Sequence, residues 1–162
     1  MKIEVQETRD WRLVWQISQH PEIFDRVTND SWAALDIEVR AAHVQLIVEN
    51  PANHTFVVTL DGKTAGCFIL DAKGNGRFEL HTLLMPECHG KAGLEAARKA
   101  LEMVEQYQDV RCIESYCPTN HREILLFAIL CGFKKMGVEL GKWIKNGMVF
   151  DLVKVERMMP CH

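Results

Sequence analysis

The stretch Phe78–Ala97, FELHTLLMPECHGKAGLEAA, holds most of the residues able to do chemistry. An alternating run ends at Leu84, a proline follows, and the loop His89-Gly90-Lys91-Ala92-Gly93 opens a helical pattern. Small residues let a backbone approach a ligand closely. The first amides of a helix have no partner within it and point outwards. With the helix dipole they make a site for an anion such as a pyrophosphate. Lys91, and His89 when protonated, would add positive charge there. An ordinary strand-to-helix turn can also look like this. The pattern is not a P-loop, because no GxxxxGK followed by Ser or Thr occurs. It is not a dinucleotide fingerprint either, since the spacing fails and the strand before it belongs to a meander. On that strand Glu79 and His81 alternate with Phe78, Leu80 and Thr82, so both project from one face. An imidazole titrates near neutrality unaided; a carboxylate would need burial to raise its pKa. The plainer role for the pair is to face solvent or a neighbouring strand.

The elements that must position these residues follow from pattern and punctuation. Residues 2–8 alternate as a first strand. Asp10 caps a helix with Trp11, Leu13, Val14 and Ile17 on one face, and His20-Pro21 ends it. Residues 21–35 give no clear pattern. Asp36 caps a second helix, with Ile37, Ala41, Val44 and Val48 on one side and Asn50-Pro51 at its close. His54–Leu60 and Lys63–Leu70 are joined by Asp61-Gly62, a tight-turn signal. Lys73-Gly74-Asn75-Gly76 turns into a third strand, Arg77–Leu84. From Gly90 to Gln106 the pattern is helical, with Leu94, Ala97, Leu101 and Val104 on one face and charges at i,i+4 spacing on the other. Residues 111–116 read as a strand. Asn120 or Thr119 caps a helix over Glu123–Leu130, which Gly132 ends, and Phe133–Leu140 and Met148–Val155 are the last strands. The order β-α-α-β-β-β-α-β-α-β-β needs one parallel crossover in the centre. It predicts an α/β (α+β) domain over residues 1–162, with a mixed sheet of about six to seven strands flanked by about four helices.

The 162 residues suit one compact domain. With 48% hydrophobic and 25% charged residues, disorder is not expected. The net charge of −3, with scattered basic residues, argues against a nucleic-acid partner. No apolar run is long enough to span a bilayer, so no membrane partner is expected. The charged start MKIEVQETRDW lacks a signal-peptide core, which implies a cytoplasmic protein. Six cysteines occur without any CxxC spacing; Cys67, Cys112 and Cys131 read as small buried hydrophobes, and no metal site is expected. Trp11, Trp15 and Trp32 suit a core or a partner surface. Edge strands or exposed tryptophans leave room for a homodimer that nothing specifies.

The site-bearing segment resembles the acetyl-CoA motif of the GNAT N-acetyltransferase superfamily. Leu84-Met85-Pro86-Glu87 matches the end of the family's strand. In the loop, His89 stands where the family usually has Arg or Gln, Ala92 replaces the first motif Gly with Gly93 next to it, and Leu94 falls at the second small position. The loosened loop followed by Leu-Glu-Ala resembles small acyltransferase-like proteins of phages. A second block, Asn120, the apolar helix Ile124–Ile129 and Leu130-Cys131-Gly132-Phe133, is similar to the family's Asn-helix-Gly-Phe block.

The resemblance implies the GNAT fold and direct attack of an amine, on a small molecule or a protein, on acetyl-CoA within a ternary complex. Glu79 or His81 would take the amine's proton, directly or through water. Backbone N–H groups around Leu83, Leu84 and Met85 would stabilise the developing oxyanion, about 3 kcal/mol for one good donor. His89, Gly90, Lys91, Ala92, Gly93, Leu94 and Asn120 would bind the cofactor. The departure is the general acid: the family's usual Tyr position is Ala128, beside Phe127, and neither donates a proton. Tyr116, Ser115 and Cys117 are the nearby substitutes. Three functions compete: an N-acetyltransferase; a GNAT-shaped binding or structural protein, a phage component for instance, that has lost catalysis; and a nucleic-acid-binding regulator, which the acidic balance disfavours. Residues 21–35 and the last two strands would set the acceptor.

Overall fold

The computed structural model describes residues 1–161. Seven strands form one sheet in the order β1-β2-β3-β4-β5-β7-β6. They are β1 Ile3–Glu7, β2 His54–Leu60, β3 Lys63–Gly74, β4 Arg77–Leu84, β5 Cys112–Pro118, β6 Lys134–Lys145 and β7 Met148–Met158. Only β4 and β5 run parallel, and α5 (Lys91–Val104) is the crossover between them. The other helices are α1 Trp11–Ser18, α2 Pro21–Val27, α3 Asp30–Ala33, α4 Ile37–Glu49 and α6 Arg122–Leu130, with a short 3-10 turn at Pro86–Cys88. No helix among the described residues is long and apolar enough to cross a membrane.

The turns do what their residues dictate. Asp61 and Gly62 both take positive φ, 50° and 80°, and close the β2–β3 hairpin. Asp10 Oδ1 accepts from the amides of Arg12 (3.1 Å) and Leu13 (3.2 Å), so α1 is capped as expected. Asp36 sits at the N-cap of α4 but makes no side-chain capping bond. Pro21 ends one helix and starts another: it is the first residue of α2, where its fixed φ suits a helix start and its missing N–H costs nothing. Together α2 and α3 fill the segment that carries no pattern in the sequence, because α2 buries only Ile23 and α3 buries nothing. Two helices are thus added to the four expected.

The sheet separates two cores. Phe56, Phe68, Leu70, Phe78 and Ile113 pack with Ala92, Ala96, Ala97, Ala100, Leu101 and Val104 of α5 on one face. Alanines at the contact let α5 lie close to the sheet, while Glu95, Arg98 and Glu102 pair on its outer side. Val57, Cys67, Ile69 and Leu83 pack with Val14, Ile17, Ile23 and Val48 of the N-terminal helices on the other. Ile37, at the start of the predicted apolar stripe of α4, stays exposed. β6 runs past its predicted end at Leu140 to Lys145, and the turn Asn146-Gly147 folds it onto β7. Asp30 of α3 accepts from the amides of Asn146 (2.8 Å) and Gly147 (2.9 Å), which pins the hairpin tip against the N-terminal helices.

Candidate functional site

β4 and β5 are in register at three positions only: Arg77↔Cys112, Phe78↔Ile113 and Glu79↔Glu114. Beyond these β4 runs on to Leu84 beside β3, and β5 runs on to Pro118 beside β7. Each strand follows its antiparallel neighbour, so the two part and leave a wedge. At its start Ser115 Oγ donates to the Leu80 carbonyl, 3.0 Å away. The Met85 N–H donates to the Ala65 carbonyl at 2.9 Å. Strand alternation then turns the Leu83 N–H towards β3 as well, and aims the amides of Thr82 and Leu84 into the wedge. Of the three backbone donors expected around the strand end, only Leu84 faces the gap. Met85 and Leu83 face β3, and Thr82, which the sequence reading did not include, faces the gap as Leu84 does.

The wedge opens into a cavity of about 950 Å³. On its helical side lie Glu79 and His81, as the alternation predicted, and register brings Asp71 opposite Glu79 and Ile69 opposite His81. Lys73 Nζ bridges the two carboxylates, 2.7 Å from Asp71 Oδ2 and 3.0 Å from Glu79 Oε2. Asp71 is held from behind by Asn53 Nδ2 at 3.1 Å. Asn53 is itself fully engaged, donating to the Ile47 carbonyl and accepting from the Ala72 amide. One donor atom each from Asp71, Glu79 and His81 falls within 4.8 Å of the others; the cation these carboxylates hold is the ammonium of Lys73. Burial pushes His81 below the ordinary imidazole pKa, against the pull of Glu79 and Asp71 and with help from Lys73 and His43. A neutral imidazole beside an acidic pair is a proton acceptor ready at neutral pH.

At the far end of β4 the 3-10 turn leads into α5. Gly90 is the N-cap at φ 64°, and a side chain built on it would meet nothing within 4 Å. It supplies a backbone conformation that other residues resist and leaves the outside open. The Leu94 amide is the first to bond back, to the Gly90 carbonyl at 3.0 Å, so those of Lys91, Ala92 and Gly93 have no partner within the helix. Gly93 is small for an internal reason: a Cβ there would lie 2.5 Å from the Cys88 carbonyl oxygen. Ala92 is buried beneath the helix start, and Leu94 lines the cavity. His89 turns back to the strand, its Nε2 3.0 Å from the Leu84 carbonyl oxygen, and Lys91 is exposed.

Across the wedge, Tyr116 and Cys117 of β5 and Phe127 and Ala128 of α6 line the cavity. Burial raises the Tyr116 phenol above its ordinary value and lifts the Cys117 thiol to about 11, so both stay protonated at neutral pH. Glu79, on the wall of the same cavity, adds to the rise of the Tyr116 phenol by opposing its negative charge. Neither Asn120 nor Thr119 caps α6: His121 holds that position without a side-chain bond, and Thr119 Oγ1 accepts from the Asp151 amide at 3.2 Å. The Asn120 Oδ1 atom is buried without a partner, beside the cavity rather than on its wall. The two segments expected to set the acceptor meet here: Arg26, Asn29 and Trp32 on one side, Glu139, Lys142 and Trp143 on the other.

No protein-family model matches the chain, and no curated protein matches its sequence. Solved structures do. The spermidine N-acetyltransferase of Vibrio cholerae, crystallised with CoA and spermine, is 15% identical over 97% of this chain and 95% of its own, with a TM-score of 0.78. An acetyltransferase of the GNAT family from Streptococcus pneumoniae is 12% identical over 98% and 100%, with a TM-score of 0.75. The ribosomal-protein acetyltransferase RimL, in complex with coenzyme A, is 14% identical over 98% and 95%, with a TM-score of 0.79. Likeness at such low identity speaks for architecture alone, and the architecture, a split pair of parallel strands with a glycine-started helix crossing between them, is the GNAT acyltransferase fold.

Proposed function

We propose that the protein transfers an acetyl group from acetyl-CoA to a primary amine of a small molecule or a protein, with both substrates in the cleft together. The observation that carries this reading is the wedge itself. It runs from Gly90, where the amides of Lys91, Ala92 and Gly93 that follow have no partner within the helix and suit a pyrophosphate, to a proton-accepting pair, Glu79 and His81. Acetyl-CoA supplies the activated acyl group. The Thr82 and Leu84 amides would offer hydrogen bonds to it along the gap. His81 would take the proton of the incoming ammonium, with Glu79 beside it. Tyr116, protonated and on the cavity wall, would serve as the acid in place of the absent α6 tyrosine. The spermidine enzyme and RimL are named for a polyamine and a ribosomal protein, and both substrates are amines.

The test is calorimetric titration with acetyl-CoA of wild type and of Lys91→Glu. Lys91 is exposed at the first position of α5, where an acidic residue favours the helix but repels a pyrophosphate. Wild type is expected to bind in the micromolar range, and the variant about tenfold more weakly, a difference of about 1.4 kcal/mol. A folded wild type that does not bind overturns the proposal. A second reading, a GNAT-shaped protein that binds acetyl-CoA without turning it over, is favoured by Ala128 and Phe127, which leave α6 without a proton donor at the cleft. Turnover with a panel of amines, and its loss in Tyr116→Phe, separates the two.

A further inference from the structure

From the geometry around Glu79 we infer that Lys73 is an internal acetyl acceptor: the protein acetylates its own Lys73 from acetyl-CoA, the side chain standing where a substrate amine would stand. This rests on the acetyl-transfer reading above.

The cleft wall contains two lysines, Lys73 and Lys142. Only Lys73 meets the proton-accepting pair, with Nζ 3.0 Å from Glu79 Oε2 and with Glu79 next but one to His81 on the same strand face. The side chain is 39% exposed, and its ammonium is tethered by a pair of hydrogen-bonded carboxylates. An unbranched alkyl chain ending in an ammonium is thus bound in the acceptor half of the cleft.

The step balances without any further reactant. The Lys73 ammonium gives a proton to neutral His81. The free amine forms a C–N bond to the thioester carbonyl carbon, the C–S bond breaks, the nitrogen's second proton passes to the leaving sulfur so that CoA departs as the thiol, and the proton held by His81 is released to solvent. The product is a neutral amide that can no longer bridge Asp71 and Glu79. Self-acetylation therefore empties the ammonium position and leaves the two carboxylates for an external amine. The same carboxylates set the pace. Burial alone would lower the Lys73 pKa, but the bonds to Asp71 and Glu79 outweigh it and raise it, so the amine is released rarely at neutral pH and more often as pH rises.

The experiment is incubation of the intact protein with acetyl-CoA, followed by whole-protein mass and peptide mapping of every lysine, with calorimetric titration of acetyl-CoA on the same sample. Lys73 should be labelled at least tenfold faster than any other lysine. Its rate should not depend on protein concentration, and it should fall at least tenfold in His81→Ala while the other lysines are unaffected. Lys73→Arg should keep acetyl-CoA binding and lose the dominant label. If acetyl-CoA binds but the label spreads evenly, or the rate rises in proportion to protein concentration, the inference fails and the acetyl-transfer reading stands. If acetyl-CoA does not bind, both fall together.

Discussion

β4 carries two clusters of charge two residues apart. At its start Arg77 lies 2.7 Å from Glu114 and 2.5 Å from Glu156, and Lys154 bridges the same carboxylates at 3.3 Å each. Further along, Glu79 and Asp71 share a single ammonium, that of Lys73, beside a neutral His81. The residue types barely differ; the balance and the access do. The first cluster sets two cations against two carboxylates and ties β4, β5 and β7 at the closed end of the wedge. Burial pushes Glu114 and Glu156 upwards, but Arg77 and Lys154 outweigh it and hold both below the usual carboxylate range. The second cluster has one cation too few and faces the cavity. A balanced cluster has nothing left to give a ligand. An under-compensated one can take up a proton or a cation, which acetyl transfer to an amine requires.

The largest effect should separate them by activity. His81→Ala is expected to lower kcat/KM for an acceptor amine by about 10²–10⁴-fold, the usual contribution of a positioned base. Glu114→Gln should leave it within a few-fold. Comparable losses in both variants, with both folded, would show that the two clusters act as one. In stability the order reverses. Glu114→Ala strips Arg77 and Lys154 of a shared partner, yet Arg77 is 39% exposed and water replaces part of the loss. The cost should be about 1 kcal/mol, or a fall in Tm of roughly 2–4 °C for a domain of this size. His81→Ala should melt nearer to wild type in thermal unfolding followed by circular dichroism.

The balanced cluster should also show in acid. Glu114 and Glu156 have folded pKa values below their unfolded ones, so the unfolded chain binds more protons in between. Their contribution is whole above the unfolded value of about 4.3 and drains away as pH falls through the folded values. A Glu114→Gln, Glu156→Gln variant should melt below wild type at neutral pH and converge with it towards pH 3, a point chosen as roughly one unit below the unfolded value. A constant gap in Tm across that range would mean that the cluster acts through packing and not through charge.

How far these clusters are legible in the sequence follows from what each depends on. Glu79 and His81 are visible because strand alternation is local. Asp71 and Lys73 are not, because their place opposite Glu79 is a matter of register, and a shift between Ala72 and Gly74 moves the count. The meander and α5 are legible because each is punctuated by turn residues or has one apolar face. The helices α2 and α3 are not, since they bury one side chain between them, Ile23. β6 is nearly all exposed, so burial imposes no alternation on it, and its last residues before the Asn146-Gly147 turn are not read as strand from the sequence. In the loop, Gly90 and Gly93 look alike in sequence yet differ in cause: one faces open space and the other the Cys88 carbonyl. Asn120 can be read as a cap from its type alone, and only the coordinates show its oxygen unpartnered.

The smallest predicted effect tests the electrostatics of the open cluster from within. The charges that act most on His81 are Glu79 and Asp71, which favour its protonated form, and Lys73 and His43, which oppose it. Burial is the largest influence, so the imidazole should titrate below its ordinary value of about 6.5. Lys73→Met keeps the alkyl stem and removes the ammonium, leaving Asp71 and Glu79 to act on His81 unopposed by it. The His81 midpoint, followed by NMR of the ring protons, should therefore move upwards in the variant while staying governed by burial. The acid limb of kcat/KM should move with it, because only the neutral imidazole accepts the amine's proton. If the midpoint stays put or falls, the ammonium is not coupled to His81. The open cluster would then be, like its neighbour at the closed end, a set of pairs complete in themselves.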